Sequence, residues 1–159
     1  MTSTNELMMR YAVLLAAIGT LSACRTVPLF PPSNFAEPGW TVRQGQAVWR
    51  TGQHSPELAG EVLVATHRDG RTLVQFTKTP LPFVVAQTTT NSWQVDFVPK
   101  NKTYSGRGEP PLRVIWLHLA RSLDGNSPPK PFVFQKTTEA GWTLENRATG
   151  EMISGYLAR

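Results

Sequence analysis

Three histidines, His54, His67 and His118, carry the side chains best suited to ligating a metal or exchanging a proton near neutral pH. None of them belongs to an H-x-x-H or H-E-x-x-H pattern, the spacings from which a metal site is recognised in sequence. His67 stands beside Arg68 and Asp69 near an expected turn, and we expect His118 at the boundary between a helix and solvent. The sequence therefore predicts no metal at these residues.

The sequence also contains no motif that predicts nucleophilic catalysis or catalysis by a pair of carboxylates. No G-x-S-x-G motif is present, and the acidic residues follow no pattern that would predict a catalytic pair. Apart from Asp69 beside the expected turn, those of the domain stand singly in the sequence, at Glu57, Glu61, Asp96, Glu109, Asp124, Glu139, Glu145 and Glu151. We therefore expect a protein that is not an enzyme and that needs no cofactor.

Cys24 is the only cysteine of the chain, so it cannot form an internal disulfide. It follows the apolar run 11–21, whose roughly eleven residues are fewer than the ~20 that a membrane-spanning helix needs. Such a run is typical of a signal peptide. Leu21-Ser22-Ala23-Cys24 resembles the lipobox of bacterial lipoproteins, which implies a signal peptide over 1–23 and lipid attachment at Cys24. The alternative is a buried apolar cysteine.

The lipobox resemblance also implies a location. A lipidated cysteine of this class carries several acyl chains, which tether a protein firmly to a membrane without spanning it. Arg25 follows Cys24, where an aspartate would favour retention in the inner membrane, so we expect the periplasmic face of the outer membrane. The formal net charge of +5 favours acidic lipid head groups, an acidic periplasmic partner or simply a solvated surface, and we expect no nucleic acid.

Residues 24–39 hold Cys24 and a proline-rich stretch that predicts a stiff linker, and residues 40–159 form one domain. Within that domain, short runs that alternate apolar and polar residues predict antiparallel strands. These runs are 41–50, 58–68, 72–78, 83–89, 93–98, 102–107, 132–135, 142–146 and 152–157. Asp69-Gly70 is the strongest hairpin signal among them.

One helix is predicted over 112–123, because apolar residues from Leu112 to Leu123 recur at the spacing of a single helical face. Gly125 follows where glycine commonly caps a helix. A meander of strands interrupted by one apolar helix buries that helix against its own apolar face. The predicted fold is therefore mainly β: a curved antiparallel sheet or unclosed half-barrel with one helical lid.

The tryptophans suit either core packing or the wall of an apolar cavity. We expect at least three of the five, Trp40, Trp49, Trp93, Trp116 and Trp142, in the core. The candidates for the wall or lid of a cavity are Phe76, Val85, Trp93, Phe97, Ile115, Trp116 and Leu119.

Several features, taken in order, carry a resemblance to a known family. They are a G-x-A strand at Gly45-Gln46-Ala47, a strand ending in Thr79-Pro80-Leu81-Pro82, the segment "LRVIWLHLARSLDGNSPP", and Gly141-Trp142-Thr143-Leu144. With the lipobox, they resemble the LolB family of outer-membrane lipoprotein receptors. Two features depart from that family: no helix is expected ahead of the first strand, and the family's last strands have no counterpart before Arg159.

The resemblance implies an unclosed barrel whose helical lid covers an apolar cavity for lipoprotein acyl chains, delivered by a periplasmic LolA-like carrier. By position, Leu81 between Pro80 and Pro82 would be the apolar residue that helps pass the lipoprotein into the outer membrane. The alternative at this position is a Leu81 that packs beneath a neighbouring strand. For the whole chain, the alternative is a structural envelope lipoprotein that docks a protein partner and holds no lipid.

Overall fold

One continuous antiparallel sheet dominates the structure. The computed structural model describes residues 30, 33–137 and 140–158, so the predicted signal peptide 1–23 and Cys24 lie outside the described residues. The strands are β1 (Trp40–Arg50), β2 (Glu57–His67), β3 (Thr72–Lys78), β4 (Leu81–Thr88), β5 (Ser92–Phe97), β6 (Lys102–Arg107), β7 (Phe132–Lys136), β8 (Gly141–Asn146) and β9 (Glu151–Leu157). Their order across the sheet is β6-β5-β4-β3-β2-β1-β9-β8-β7. Since β6 and β7 remain as edges, the sheet does not close into a barrel.

A row of paired apolar residues crosses the sheet and identifies its buried face. Val62 pairs with Phe76, Phe76 with Val84, and Val84 with Phe97. Side chains alternate between the two faces of a strand, so residues two positions from this row share its face. We call this the inner face, because the helix packs against it, and the opposite one the outer face.

The helix α1 (Trp116–Leu123) covers the inner face of β2 to β5. The Trp116 ring centroid lies 5.1 Å from that of Phe76 and 5.4 Å from that of Trp49. Trp116 is 1% exposed, and its indole fills the middle of the inner face. An unclosed antiparallel sheet with a single α-helix in the described residues confirms the predicted fold class.

The helix begins four residues later than predicted, at Trp116 rather than Leu112. The Pro111 carbonyl accepts the Val114 N–H in a turn, and the Leu112 carbonyl accepts the Asn146 side-chain amide. These two carbonyls therefore do not start a helical ladder, and Leu112 is 47% exposed. At the other end, Gly125 with φ +93° ends the helix as predicted.

Burial of individual side chains tests two further predictions. Trp49, Trp116 and Trp142 are buried, which confirms the expectation of three core tryptophans. His118 was expected at the boundary with solvent, and this is wrong: it is only 6% exposed, with its ring centroid 4.6 Å from that of Phe132. Burial lowers the pKa of His118, so the imidazole is neutral near pH 7.

The antiparallel register gives the half-barrel two ends. The loops at 51–56, 79–80, 98–101 and 147–150 gather at one end, which we call the Leu81 end. The loops at 68–71 and 89–91 gather at the opposite end, together with Thr137 and Ala140, and we call this the Trp40 end.

Charged contacts hold the last residues of the predicted linker onto the Trp40 end. Arg71 donates to Glu37 at 2.8 Å, and the pKa of Glu37 is lowered by that hydrogen bond. The pKa of Asp69 falls to about 2, first because it accepts the Arg71 backbone N–H and also because it pairs with His67 at 2.7 Å. The chain therefore enters β1 from a fixed point.

The first testable prediction concerns the buried indole of Trp116. Trp116→Ala should lower the free energy of unfolding by about 3–5 kcal/mol, because it leaves a cavity where the helix meets the sheet. Urea denaturation of the Cys24→Ser chain measures this, with Tyr156→Ala as the control, since Tyr156 is 48% exposed. Equal losses for the two variants would contradict the central position of Trp116.

Candidate functional site: an apolar cleft at the Leu81 end

An apolar cleft opens at the Leu81 end, between the β1–β2 loop, the β3–β4 hairpin and the 3-10 helix Val98–Lys100. Its volume is about 610 Å³. Sites that hold small ligands measure ~300–1,000 Å³. The residues that line it are Trp49, Thr51, Pro56, Glu57, Leu58, Lys78, Phe83, Phe97, Pro99 and Lys100.

The floor of the cleft is formed by Trp49, Leu58, Phe83 and Phe97. Trp49 pairs with Leu58 across β1 and β2, and the ring centroids of Trp49 and Phe83 lie 6.2 Å apart. Leu58, Phe83 and Phe97 pack against the buried core and stay only partly buried themselves. They therefore present apolar surface that an alkyl chain would remove from water.

A β-bulge explains how Phe83 reaches this floor. Phe76 pairs with Val84, yet Thr77 pairs with Pro82, so Phe83 is an extra residue in β4. A bulge breaks the alternation of the strand and redirects the side chain at that position. Phe83 consequently contacts the inner-face rings, with its centroid 6.5 Å from that of Phe76.

The rim of the cleft is basic. Exposed Lys78 and Lys100 lie in its lining with one acidic residue, Glu57, and exposed Lys102 pairs with Phe97 at the same end. Lysine ammonium groups at an apolar opening attract anionic lipid head groups through long-range electrostatics. The site thus combines an apolar interior with a positively charged border.

Leu81 projects from this rim. Thr79 and Pro80 form the turn between β3 and β4, and Leu81 pairs with Lys78 as the first residue of β4. Its side chain is 66% exposed, more than any other large hydrophobic residue of the described chain. Leu81 therefore does not pack beneath a neighbouring strand. Pro80 is also exposed, whereas Pro82 is half-buried.

Four of the predicted cavity residues are in the core and line no open space. Phe76, Ile115 and Leu119 are 0% exposed, and Trp116 is 1% exposed. They pack where α1 meets the sheet, and in the described part of the chain these four side chains leave no solvent-sized space between helix and sheet.

The other three predicted cavity residues lie far apart. Val85 pairs with Gln75 and Asp96, and it lies on the outer face because its neighbours in β4 are buried on the inner one. Trp93 lies at the Trp40 end, where a Cβ on Gly106 would come within 2.6 Å of its ring. Phe97 alone is in the lining of the cleft.

The candidate list for the cavity wall omitted Trp49, Leu58 and Phe83, although Trp49 was among the tryptophans expected in either the core or a cavity wall. Trp49 and Leu58 stand near the ends of predicted strands, and only the pairing of β1 with β2 brings them together. No signal in the sequence predicts the bulge at Phe83, because it depends on the register between β3 and β4.

A half-buried carboxyl group, that of Glu151, lies against the floor. The Trp49 indole N–H donates to Glu151 Oε1 at 2.9 Å. Burial raises the pKa of Glu151, an effect that this hydrogen bond partly offsets. Glu151 therefore favours its neutral form more strongly in the folded protein than in the unfolded chain.

In comparisons with protein-family models, curated proteins and solved structures, nothing matches this chain. Within the described residues, no group of three or more His, Cys, Asp or Glu side chains is placed to hold a metal ion. No helix in that same part of the chain has the length and apolar character to cross a membrane.

The raised pKa of Glu151 predicts a pH-dependent stability. Ionisation is disfavoured in the folded state, so the parent loses stability as the pH rises above the ordinary value of 4.5 toward the raised pKa. Glu151→Gln cannot ionise, so its free energy of unfolding relative to the parent should increase from about pH 4 to about pH 7. Urea denaturation across this range checks the trend against exposed Glu61→Gln. A difference that stays constant with pH would contradict it.

Proposed function

We propose that this chain is a lipoprotein anchored through Cys24 on the periplasmic face of the outer membrane, where it holds an acyl chain in the apolar cleft and assists its transfer into the membrane. Transfer of this kind needs no covalent chemistry. The observation that carries the proposal is Leu81, 66% exposed at the rim of an apolar cleft.

An exposed leucine suits contact with a bilayer. Burying such a side chain in an apolar phase contributes about 1.5–3 kcal/mol. Val98, 42% exposed, follows β5 at the same end and adds apolar surface. Lysines near an anionic surface contribute about 1 kcal/mol each, and Lys78, Lys100 and Lys102 supply three. This end of the domain therefore favours a membrane interface.

The segment between Cys24 and Phe30 is long enough for the Leu81 end to face the membrane that holds the lipid. The Phe30 backbone N–H donates to Gln94 Oε1 at 3.4 Å, which places Phe30 beside β5. Phe30 stands six positions after Cys24, and such a segment spans at most about 20 Å when extended. Gln94 stands three residues before Phe97, or about 10 Å along the strand. A lipid at Cys24 and the Leu81 end can therefore meet the same membrane.

The partners of this proposal are acyl chains of lipoproteins or lipids, together with a LolA-like carrier that would deliver them through the periplasm. The acyl chain would lie over Leu58, Phe83 and Phe97, with its polar head near the lysines of the rim. Each buried CH₂ contributes about 0.8 kcal/mol, so a partly covered chain is held and still released to a bilayer that covers it fully.

A second candidate function is protein docking by a structural envelope lipoprotein that holds no lipid. The filled inner face favours it, because Trp116 occupies the space that a central lipid cavity would need. The edge strand β6, with exposed residues along most of its length, offers a place for a partner strand. The two functions differ in whether the folded domain binds an acyl chain.

Acyl-chain binding is tested on the floor of the cleft. Phe83→Ser should weaken binding of a fluorescent acyl lipid by about tenfold, since Phe83 contributes apolar surface worth roughly 1.5 kcal/mol or more. Titration of the delipidated Cys24→Ser chain measures this, with Tyr156→Ser on the outer face as the matched aromatic control. A folded parent that does not bind the probe would favour protein docking instead.

Transfer is tested at Leu81. Leu81→Glu should bind the same probe normally yet pass it to anionic liposomes at least about tenfold more slowly, because a carboxylate is costly to bring into the bilayer and is repelled by its surface. Val42→Glu is the control, an exposed apolar residue near the Trp40 end. Equal slowing by both substitutions would show that the position of Leu81 does not matter.

A further inference from the structure

A second cavity lies at the Trp40 end, on the inner face of the other half of the sheet. Its volume is about 640 Å³, and it is bordered by β1, β7, β8, β9 and the C-terminal end of α1. It exists because α1 packs chiefly on β2 to β5 and leaves the inner face of β7 to β9 uncovered at this end. No lining residue is shared with the apolar cleft at the Leu81 end.

The lining of the second cavity is apolar with two basic groups. Leu123, Phe134 and Leu157 contribute aliphatic and aromatic surface, and Arg43 and Lys136 contribute the charges. Among the described residues of this lining there is no carboxylate. The register explains the grouping, because Phe134 pairs with buried Leu144, and Lys136, two residues on, shares its face.

Arg43 is fixed in place while much of its hydrogen-bonding capacity stays unused. Its Nη2 donates to Asp124 Oδ1 at 2.6 Å, a contact that ties β1 to the end of α1. A guanidinium carries five N–H donors, and the Arg43 Nε is buried without a partner. Lys136 is exposed, and no carboxylate of the described chain pairs with it.

We propose that the second cavity binds a single-chain anionic amphiphile, an alkyl carboxylate. The carboxylate lies between Arg43 and Lys136, where charge-assisted hydrogen bonds are the strongest that side chains offer. The alkyl chain lies along Phe134, Leu123 and Leu157. Apolar surface alone would bind any alkyl chain of suitable size. Arg43 and Lys136 beside it favour a ligand with an acidic head group. This site is independent of the apolar cleft and of the proposed function.

The test compares laurate with dodecanol, which has the same chain length and no charge, by calorimetric titration of the full-length Cys24→Ser chain. The parent should bind laurate more tightly than dodecanol, by about tenfold or more. Arg43→Gln and Lys136→Gln should each reduce this preference, and Lys102→Gln, at the other end, should keep it. Lys136→Gln alters an exposed side chain outside the Arg43–Asp124 ion pair, so its result does not depend on that contact.

Two outcomes would overturn the proposal: equal binding of laurate and dodecanol by the parent, or a laurate preference that persists in both Arg43→Gln and Lys136→Gln. Phe83→Ser separates the two sites. It should bind the fluorescent acyl lipid about tenfold more weakly and retain the laurate preference if both proposals hold. Loss of the laurate preference in Phe83→Ser would place the carboxylate in the apolar cleft and contradict a second site.

Discussion

The structure depends on the contact that the Trp116 indole makes with Phe76 and Trp49. An open sheet with an apolar inner face needs a cover, and a helix of eight residues is too short to cover nine strands. By packing on β2 to β5 it fills the middle of the half-barrel, and the two cavities discussed above lie near its two ends. The positions of both cavities follow from that single packing arrangement.

The Leu81 end combines features that arise from separate local causes. The bulge at Phe83 adds an aromatic ring to the floor, and the short turn at Thr79 and Pro80 exposes Leu81. The 3-10 helix Val98–Lys100 then adds exposed apolar and basic residues beside it. The proposed contact with a membrane rests on these three features together: an apolar floor, a basic rim and an exposed leucine at one end.

Local pattern was enough to predict the strands and the fold class. The bounds 72–78 of β3 were predicted as they are found, because alternation and the Asp69-Gly70 turn are both local signals. The start of α1 was not predictable in this way, because it depends on a distant contact: the side-chain amide of Asn146, 34 residues away, donates to the Leu112 carbonyl. Val85 was predicted to line a cavity, yet it lies on the outer face. The prediction was wrong because the face that each residue of β4 occupies depends on a register that the sequence does not show.

Photo-crosslinking tests most directly whether an acyl chain is held at the Leu81 end. A phospholipid with a diazirine at the end of one acyl chain would be bound to the delipidated Cys24→Ser chain, irradiated and mapped by mass spectrometry. If an acyl chain is held there, the label should fall within segments 49–58, 78–83 and 97–100, which contain the residues that line the apolar cleft. Label confined to β7, β8 and β9, or none on the folded protein, would contradict this proposal.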